Sequence, residues 1–292
     1  MVQSRNPIVK VVLVLAALAF VGISIIPIFE GIKEQQASSN TSSQTATPNA
    51  QKSELQAQEK GYELVLKREP ENATALRGLL ETRLQLIQSG TGEVKDVVDP
   101  LEKLVKINPD ETRYAVLLGQ VKQQLGDREA AAQAYRTVLA TNPGDLNALQ
   151  GLVLLLVEQK RPEAAIGLLE DTLQAAPQTN KLKPGSVDVP AVQLLLGQVY
   201  AEQKRYDEAI ALYDQVSGAN KQDFRPFLGK ALLMRQQGKN EAAQPLFQEA
   251  TSLAPPQYKD QIKQLAATSP SSSSPAAQPA PVSPAAQPVP TN

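Results

Sequence analysis

The sequence contains no cysteine, no histidine and no tryptophan. The missing thiols exclude disulfides, zinc–thiolate centres, iron–sulfur clusters and cysteine nucleophiles. The missing imidazole removes the commonest general base, the commonest transition-metal ligand and every Ser-His-Asp arrangement. Aromatics are scarce, with 7 Tyr and 5 Phe in 292 residues. Neither sign of charge prevails: 29 Lys+Arg face 30 Asp+Glu for a net charge of −1, which leaves no basic footprint for nucleic acid. Gly90-Thr91-Gly92 is the one glycine-rich spot, and it lacks the lysine and preceding strand of a phosphate-binding loop. The carboxylates fall at helix starts and on solvated faces. The chain therefore reads as a non-enzyme, with no catalytic residue, cofactor or metal ligand to nominate.

What the sequence does have first is a long apolar run. Residues 1–7 form a short flank, and from Ile8 to Phe29 the chain is broken only by Lys10, Gly22, Ser24 and Pro27. As a helix this run spans roughly 33 Å, enough for a hydrocarbon core of about 30 Å. An uncleaved membrane anchor over 8–29 is the expectation. A cleaved secretory signal is the alternative, because Ala17-Leu18-Ala19 resembles a processing site. Arg5 and the amino terminus precede the run and Lys10 lies in its first turn, whereas Glu30, Lys33 and Glu34 follow it. The positive-inside rule then puts the N-terminus in the cytoplasm and the rest outside it, by a margin of one basic residue and the amino group. Residues 30–51 read as a disordered linker, rich in Ser, Thr, Gln and Asn between Gln35 and Gln51, with a reach of about 20–25 Å.

The middle of the chain repeats itself. Pro109, Pro143 and Pro177 close successive segments 34 residues apart. Gln203-Lys204-Arg205 repeats Gln159-Lys160-Arg161 at an offset of 44, which is one period plus a 10-residue insertion within 178–190. Pro255 closes the last unit, and the equivalent closing turn at Lys221 lacks proline. Each unit carries two helix-length apolar periodicities separated by a polar turn. Such a period predicts stacked helical hairpins that bury their apolar stripes only against one another.

These residues resemble the tetratricopeptide repeat (TPR) family. Leu196-Gly197, Tyr200, Ala209 and Tyr213 follow the family's pattern, as do Leu118-Gly119, Ala131, Tyr135 and Pro143. Ala231, Ala243, Phe247 and Pro255 make a third copy, and Leu152, Ala165, Leu169 and Pro177 a fourth. The first unit, with Leu76, Leu79, Leu101, Leu104 and Pro109, carries a five-residue insertion at 89–93 and has Val97 in place of the small alanine. Leu55–Arg68 reads as a lone second helix, with Tyr62 in the aromatic position. The resemblance implies an all-α fold. The implied architecture is a TPR superhelical solenoid over 52–267, about five hairpins plus flanking helices, behind the expected single N-terminal transmembrane helix. Units end near 109, 143, 177, 221 and 255. A cap helix follows over 256–267, and an extended tail of Pro, Ala and Ser over 268–292. Gly119 is expected to face Ala131, Gly197 to face Ala209 and Ala231 to face Ala243, where paired helices approach most closely. Glu129, Glu163, Asp207 and Glu241 recur in the first turn of second helices, favourable against the helix dipole.

The family binds peptide segments or helices of partner proteins along a groove lined by first helices. Carried over position by position, that groove presents Gln120, Gln123, Gln124, Gln150, Leu154 and Glu158. Further along it presents Leu194, Gln198, Glu202, Leu228, Leu232 and Arg235. Such a Gln/Leu surface suits amphipathic or extended segments through apolar contact and amide hydrogen bonds. The basic clamp of chaperone-binding TPR domains is not reproduced, since Arg77 is followed by Glu81 where an asparagine would be wanted. Asp223-Phe224-Arg225-Pro226-Phe227, with Val192–Tyr200, is similar to the Slow Green 1 type of plastid TPR protein and its cyanobacterial relatives. That resemblance implies a cyanobacterial membrane-tethered assembly factor in photosynthetic membrane biogenesis. The charge asymmetry around 8–29 favours a repeat array in the periplasm or thylakoid lumen, with the opposite orientation as the alternative. The alternative function is a chaperone-like holder of exported polypeptides.

Overall fold

The computed structural model describes residues 48–267, all of whose regular elements are helical. The expected span 8–29 and the tail 268–292 lie outside the described residues. Among the described residues no helix is long and apolar enough to cross a membrane. The chain divides into two compact units, Met1–Leu195 and Leu196–Asn292.

The first unit opens with α1 (Pro48–Arg68) and α2 (Ala73–Gln88). Helix α1 starts seven residues before the expected Leu55, inside the stretch 30–51 expected to be a linker, whose residues before Pro48 lie outside the described residues. Arg83 of α2 ties the opening together: it donates to Glu59 and Glu63 of α1, both at 2.8 Å, and to the Asp96 carbonyl at 2.7 Å. The five-residue insertion at 89–93 is followed by a 3-10 turn, Val94–Val97, that leads into α3 (Val98–Ile107). Val97 is fully buried there beside Leu76, Leu101 and Leu104. Next come α4 (Thr112–Gln124), α5 (Arg128–Thr141), α6 (Leu146–Glu158) and α7 (Pro162–Leu182).

Local chemistry explains where these helices begin and end. The side chains of Asn72, Asp127 and Asp145 each accept from a backbone N–H three residues on, satisfying a donor the first turn leaves unpaired. First helices end on a residue with positive φ, Gly126 at 82° and Lys160 at 59°. The backbone N–H of the next residue then reaches back across a full turn, Asp127 to the Lys122 carbonyl and Arg161 to the Leu156 carbonyl. Asn108 and Asn142 cap α3 and α5, and the prolines that follow them prevent continuation.

Pro177 behaves differently from the expectation that it closes its unit. It lies inside α7, which runs on to Leu182. An internal proline forfeits one helical hydrogen bond at a cost of about 3 kcal/mol. Full burial of Ala176 works against this cost, together with a clamp from the last turn of the helix. There the Asn180 amide donates to the Val187 carbonyl at 2.9 Å and accepts from the Val187 N–H at 2.8 Å. The 10-residue insertion is thus part helix and part a closed loop seated on Gly144, where a Cβ would collide with the Ser186 carbonyl.

Helix α8 (Val189–Glu202) contains the division between the units. The second unit continues with α9 (Tyr206–Ala219), α10 (Phe224–Gln236), α11 (Asn240–Leu253) and α12 (Pro256–Ala267). Lys204 and Gly238 supply the positive φ after its first helices, at 61° and 76°. Asp223 caps α10, accepting from the Arg225 N–H at 2.9 Å and pairing with the Arg225 guanidinium at 2.7 Å. Leu228, Ala231, Ala243, Phe247, Ala250 and Ile262 form its core, with Tyr258 of α12 stacked on Phe224 at 5.7 Å.

The expected pairing of small residues is only part of how the helices approach. The atoms nearest a Cβ placed on Gly119 belong to the Tyr135 ring, at 2.6 Å, and those nearest Gly197 to the Tyr213 ring, also at 2.6 Å. Ala131 and Ala209 are fully buried, yet the tyrosine is what the glycine accommodates.

Candidate partner-binding surface

First helices α4 and α6 lie side by side in the first unit and are joined at both ends. Thr112 Oγ1 donates to Asp145 Oδ2 at 3.2 Å where the two helices start. Gln123 Nε2 donates to Glu158 Oε2 at 3.3 Å where they finish. From beneath, the buried Tyr135 hydroxyl donates to Gln123 Oε1 at 3.4 Å. Gln123 is therefore held on both sides of its amide. Burial, and secondarily the Glu158 carboxylate, pushes the Tyr135 phenol well above its ordinary range, so it stays a neutral donor.

Around this polar corner Gln120 and Gln150 are half-buried, whereas Gln124, Leu154 and Glu158 are exposed. Leu154 is 37% exposed and stands among the amides as an apolar contact point. Of the six predicted residues on these two helices, Gln123 and Glu158 are joined directly, and Gln120, Gln124, Gln150 and Leu154 each keep part of their surface in solvent. The Tyr135 hydroxyl was not nominated from the sequence. Its signal was present, since glycines lie sixteen residues before and after it, at Gly119 and Gly151.

Elsewhere the predicted set changes character. Leu194 is 4% exposed and Leu228 is 3% exposed, so both belong to the interior. Leu228 and Leu232 pack into the same core as Phe247, although Leu232 keeps part of its surface. Arg235 lies over the Phe247 ring, 5.2 Å from its centroid, and donates to the Leu265 carbonyl of α12. The cap helix has taken this guanidinium. Gln198 and Glu202 remain half-buried at the surface of the second unit. Burial raises the Glu202 carboxyl above the usual carboxylate range. Arg77 hydrogen-bonds the Ala73 carbonyl of its own helix at 3.2 Å.

The surface is shaped for contact. Its groups are amides, one exposed leucine and a carboxylate already engaged by an amide, which can hydrogen-bond and pack against another polypeptide. Among the described residues no three acidic side chains gather as a metal site would require.

Comparison with known proteins bears on the family of the repeats. A family model described as tetratricopeptide repeat matches residues 79–255. The Arabidopsis thaliana protein SLOW GREEN 1, chloroplastic, is 27% identical over 190 residues, covering 65% of this chain and 57% of that protein. Cellulose synthase operon protein C of Pseudomonas fluorescens is 32% identical over 114 residues, covering 39% of this chain and 8% of its own length. The chain thus spans little more than half of the first of these relatives and a small part of the second. A solved tetratricopeptide repeat protein from Parabacteroides merdae aligns with a TM-score of 0.48 at 16% identity, over 75% of this chain and 81% of that one. With helical hairpins capped and turned alike, and a family model matching more than half of its length, this chain belongs to the tetratricopeptide repeat family.

Proposed function

We propose that this protein is a non-enzymatic scaffold, tethered to a membrane through residues 8–29, that gathers protein partners during the assembly or biogenesis of a membrane protein complex. Tetratricopeptide repeats are protein-interaction modules, and the observation that carries the reading here is the Gln/Leu surface on α4 and α6. Its central amide, Gln123, is held between Tyr135 and Glu158. A side chain fixed in this way loses little further freedom when it binds. An amphipathic or extended partner segment lies along Gln120, Gln150 and Leu154, its apolar side on the leucine and its backbone on the amides.

The likeness to a chloroplastic protein supports a photosynthetic membrane of a cyanobacterium as the setting. The N-terminus is cytoplasmic and the repeats face the periplasm or thylakoid lumen, following the basic groups before and at the start of the apolar run.

Crosslinking in native membranes, followed by capture of the full-length chain, tests this reading. One recurring complex is expected, and Leu154→Glu should reduce its recovery at least tenfold without changing helix content. Recovery of many unrelated unfolded chains would replace the scaffold with a holder of exported polypeptides. Protease protection of the repeats in sealed vesicles tests the orientation.

A further inference from the structure

The outward face of α1 carries two adjacent exposed apolar side chains. Leu64 is 61% exposed and Val65 is 41% exposed, both large apolar side chains in water. Ala57 and Gly61 precede them at helical spacing on the same side, and Arg68 follows. Nothing stands within 4 Å of a Cβ placed on Gly61, so this face is open along its length. Leu55 is buried and Tyr62 half-buried on the opposite side, which α1 presents to α2. A helix with one face packed and an apolar stripe on the other has a second surface to cover.

Basic groups outnumber acids beside that stripe, with exposed Glu69 one turn beyond Val65. Lys60, Lys67 and Arg68 are exposed, and among the described residues none of them forms an ion pair. The acids that share the helix are turned away from it: Arg83 holds Glu59 and Glu63 at 2.8 Å each. Glu54 stands ten residues before Leu64, about 15 Å along the axis. The face is therefore apolar at its centre and cationic at its margin, the pattern of a helix lying in an interfacial plane. The chain before α1 adds a second argument. An apolar run of 22 residues ends at Phe29, and 18 residues separate it from Pro48. A chain of that length has a root-mean-square span of about 21–25 Å, which keeps α1 near any bilayer that holds the run.

We infer that α1 docks, parallel to the membrane, on an anionic bilayer surface through Leu64, Val65, Lys60, Lys67 and Arg68. This takes its geometry from the membrane-tethered reading above. The docked helix orients the repeats relative to the bilayer. Each basic group near an anionic surface contributes about fivefold to the docking equilibrium, so the three together decide it.

The absence of native cysteine permits a direct test on the full chain. Leu64→Cys carrying an environment-sensitive dye is mixed with phosphatidylcholine vesicles, with or without added phosphatidylglycerol, each containing a lipid-borne quencher. The expected result is a blue shift and quenching with anionic vesicles only. Raising the salt to about 0.5 M, or introducing Lys60→Gln, Lys67→Gln and Arg68→Gln together, should reverse it. The same dye at Leu125, another exposed leucine, should not respond. Equal emission with both lipids would overturn the inference. So would a blue shift that depends on protein concentration and not on lipid, which would identify a second copy of the chain as the occupant. Flotation on neutral vesicles reports on the 8–29 anchor separately. The dye response is read whether or not the chain floats, so the two failures are distinguishable.

Discussion

The Tyr135 ring occupies the space that a Cβ on Gly151 would fill, so the second helix of one hairpin meets the first helix of the next through an aromatic face on bare backbone. The same ring lies against Gly119 of its own hairpin. In the second unit Tyr213 stands between Gly197 at 2.6 Å and Gly229 at 3.0 Å. Where the repeat has Leu101 instead of tyrosine, the residue sixteen positions on is Leu117, which packs against the core cluster that contains Leu101. Ring and glycine thus complement each other in volume, repeat by repeat.

Gly151→Ala should therefore destabilise the protein by about 1–3 kcal/mol, because a methyl group forces the ring from its place. Gly167→Ala, in a helix with open space around the position, should instead stabilise by about 0.5–1 kcal/mol. Tyr135→Leu in the Gly151→Ala background should recover part of the loss, as measured by a double-mutant cycle in urea. Additive effects would show that ring and glycine are not coupled.

Lys160 and Lys204 adopt backbone conformations for which the equivalent positions use Gly126 and Gly238. A side chain in the left-handed region costs about 1–2 kcal/mol. Lys160→Gly and Lys204→Gly should each raise stability by about 0.5–1 kcal/mol, after the greater freedom of glycine in the unfolded chain is counted. Thermal melts of the single and double variants would check this.

Arg83→Gln removes the donor shared by Glu59, Glu63 and the Asp96 carbonyl. A loss of about 1–3 kcal/mol is expected. Its location is more diagnostic than its size. Hydrogen exchange should accelerate in α1 and the 3-10 turn, and far less in α5 or α6.

Glu202 carries a carboxyl whose pKa is raised by burial in the folded state. The folded state then binds protons more readily than the unfolded one. Stability from this group is fully present below the unfolded value of about 4.3 and is lost as pH rises through the folded value. Glu202→Gln should accordingly raise the melting temperature at pH 7 and leave it nearly unchanged at about pH 3.5. An equal shift at both values would assign the effect to packing instead.

The Tyr213 phenol is raised by burial and then by Glu202, and the Tyr135 phenol by burial and then by Glu158. Stability from both is complete below about pH 10 and is lost as they ionise above it. An absorbance titration should show two of the 7 tyrosines resisting ionisation until the protein unfolds. The Tyr135→Phe, Tyr213→Phe double variant should lack that delayed component.

The recurrence of 34 residues, the two helices in each unit and the acids in the first turn of second helices were all legible in the sequence. They are local properties, written by side-chain period, caps and the dipole. Pro177 was misleading because proline disfavours a helix only locally. Burial of Ala176 and the Asn180 clamp, which joins residues seven apart around a loop, outweighed it. Gln120, Gln123, Gln150 and Leu154 could be nominated from their places in the repeat, since neighbouring first helices stay in register there.

Which nominated side chains remain available was decided only by tertiary structure. Leu194 and Leu228 sit at positions equivalent to Gln150, yet both are buried. Arg235 is equivalent to Gln123, yet the cap helix supplies the Leu265 carbonyl that engages it. A repeat period assigns each residue a direction around its own helix. It does not determine how closely the next hairpin or a capping helix covers that direction. Coverage depends on the volumes of side chains distant in sequence, and it separates a core leucine from a contact leucine.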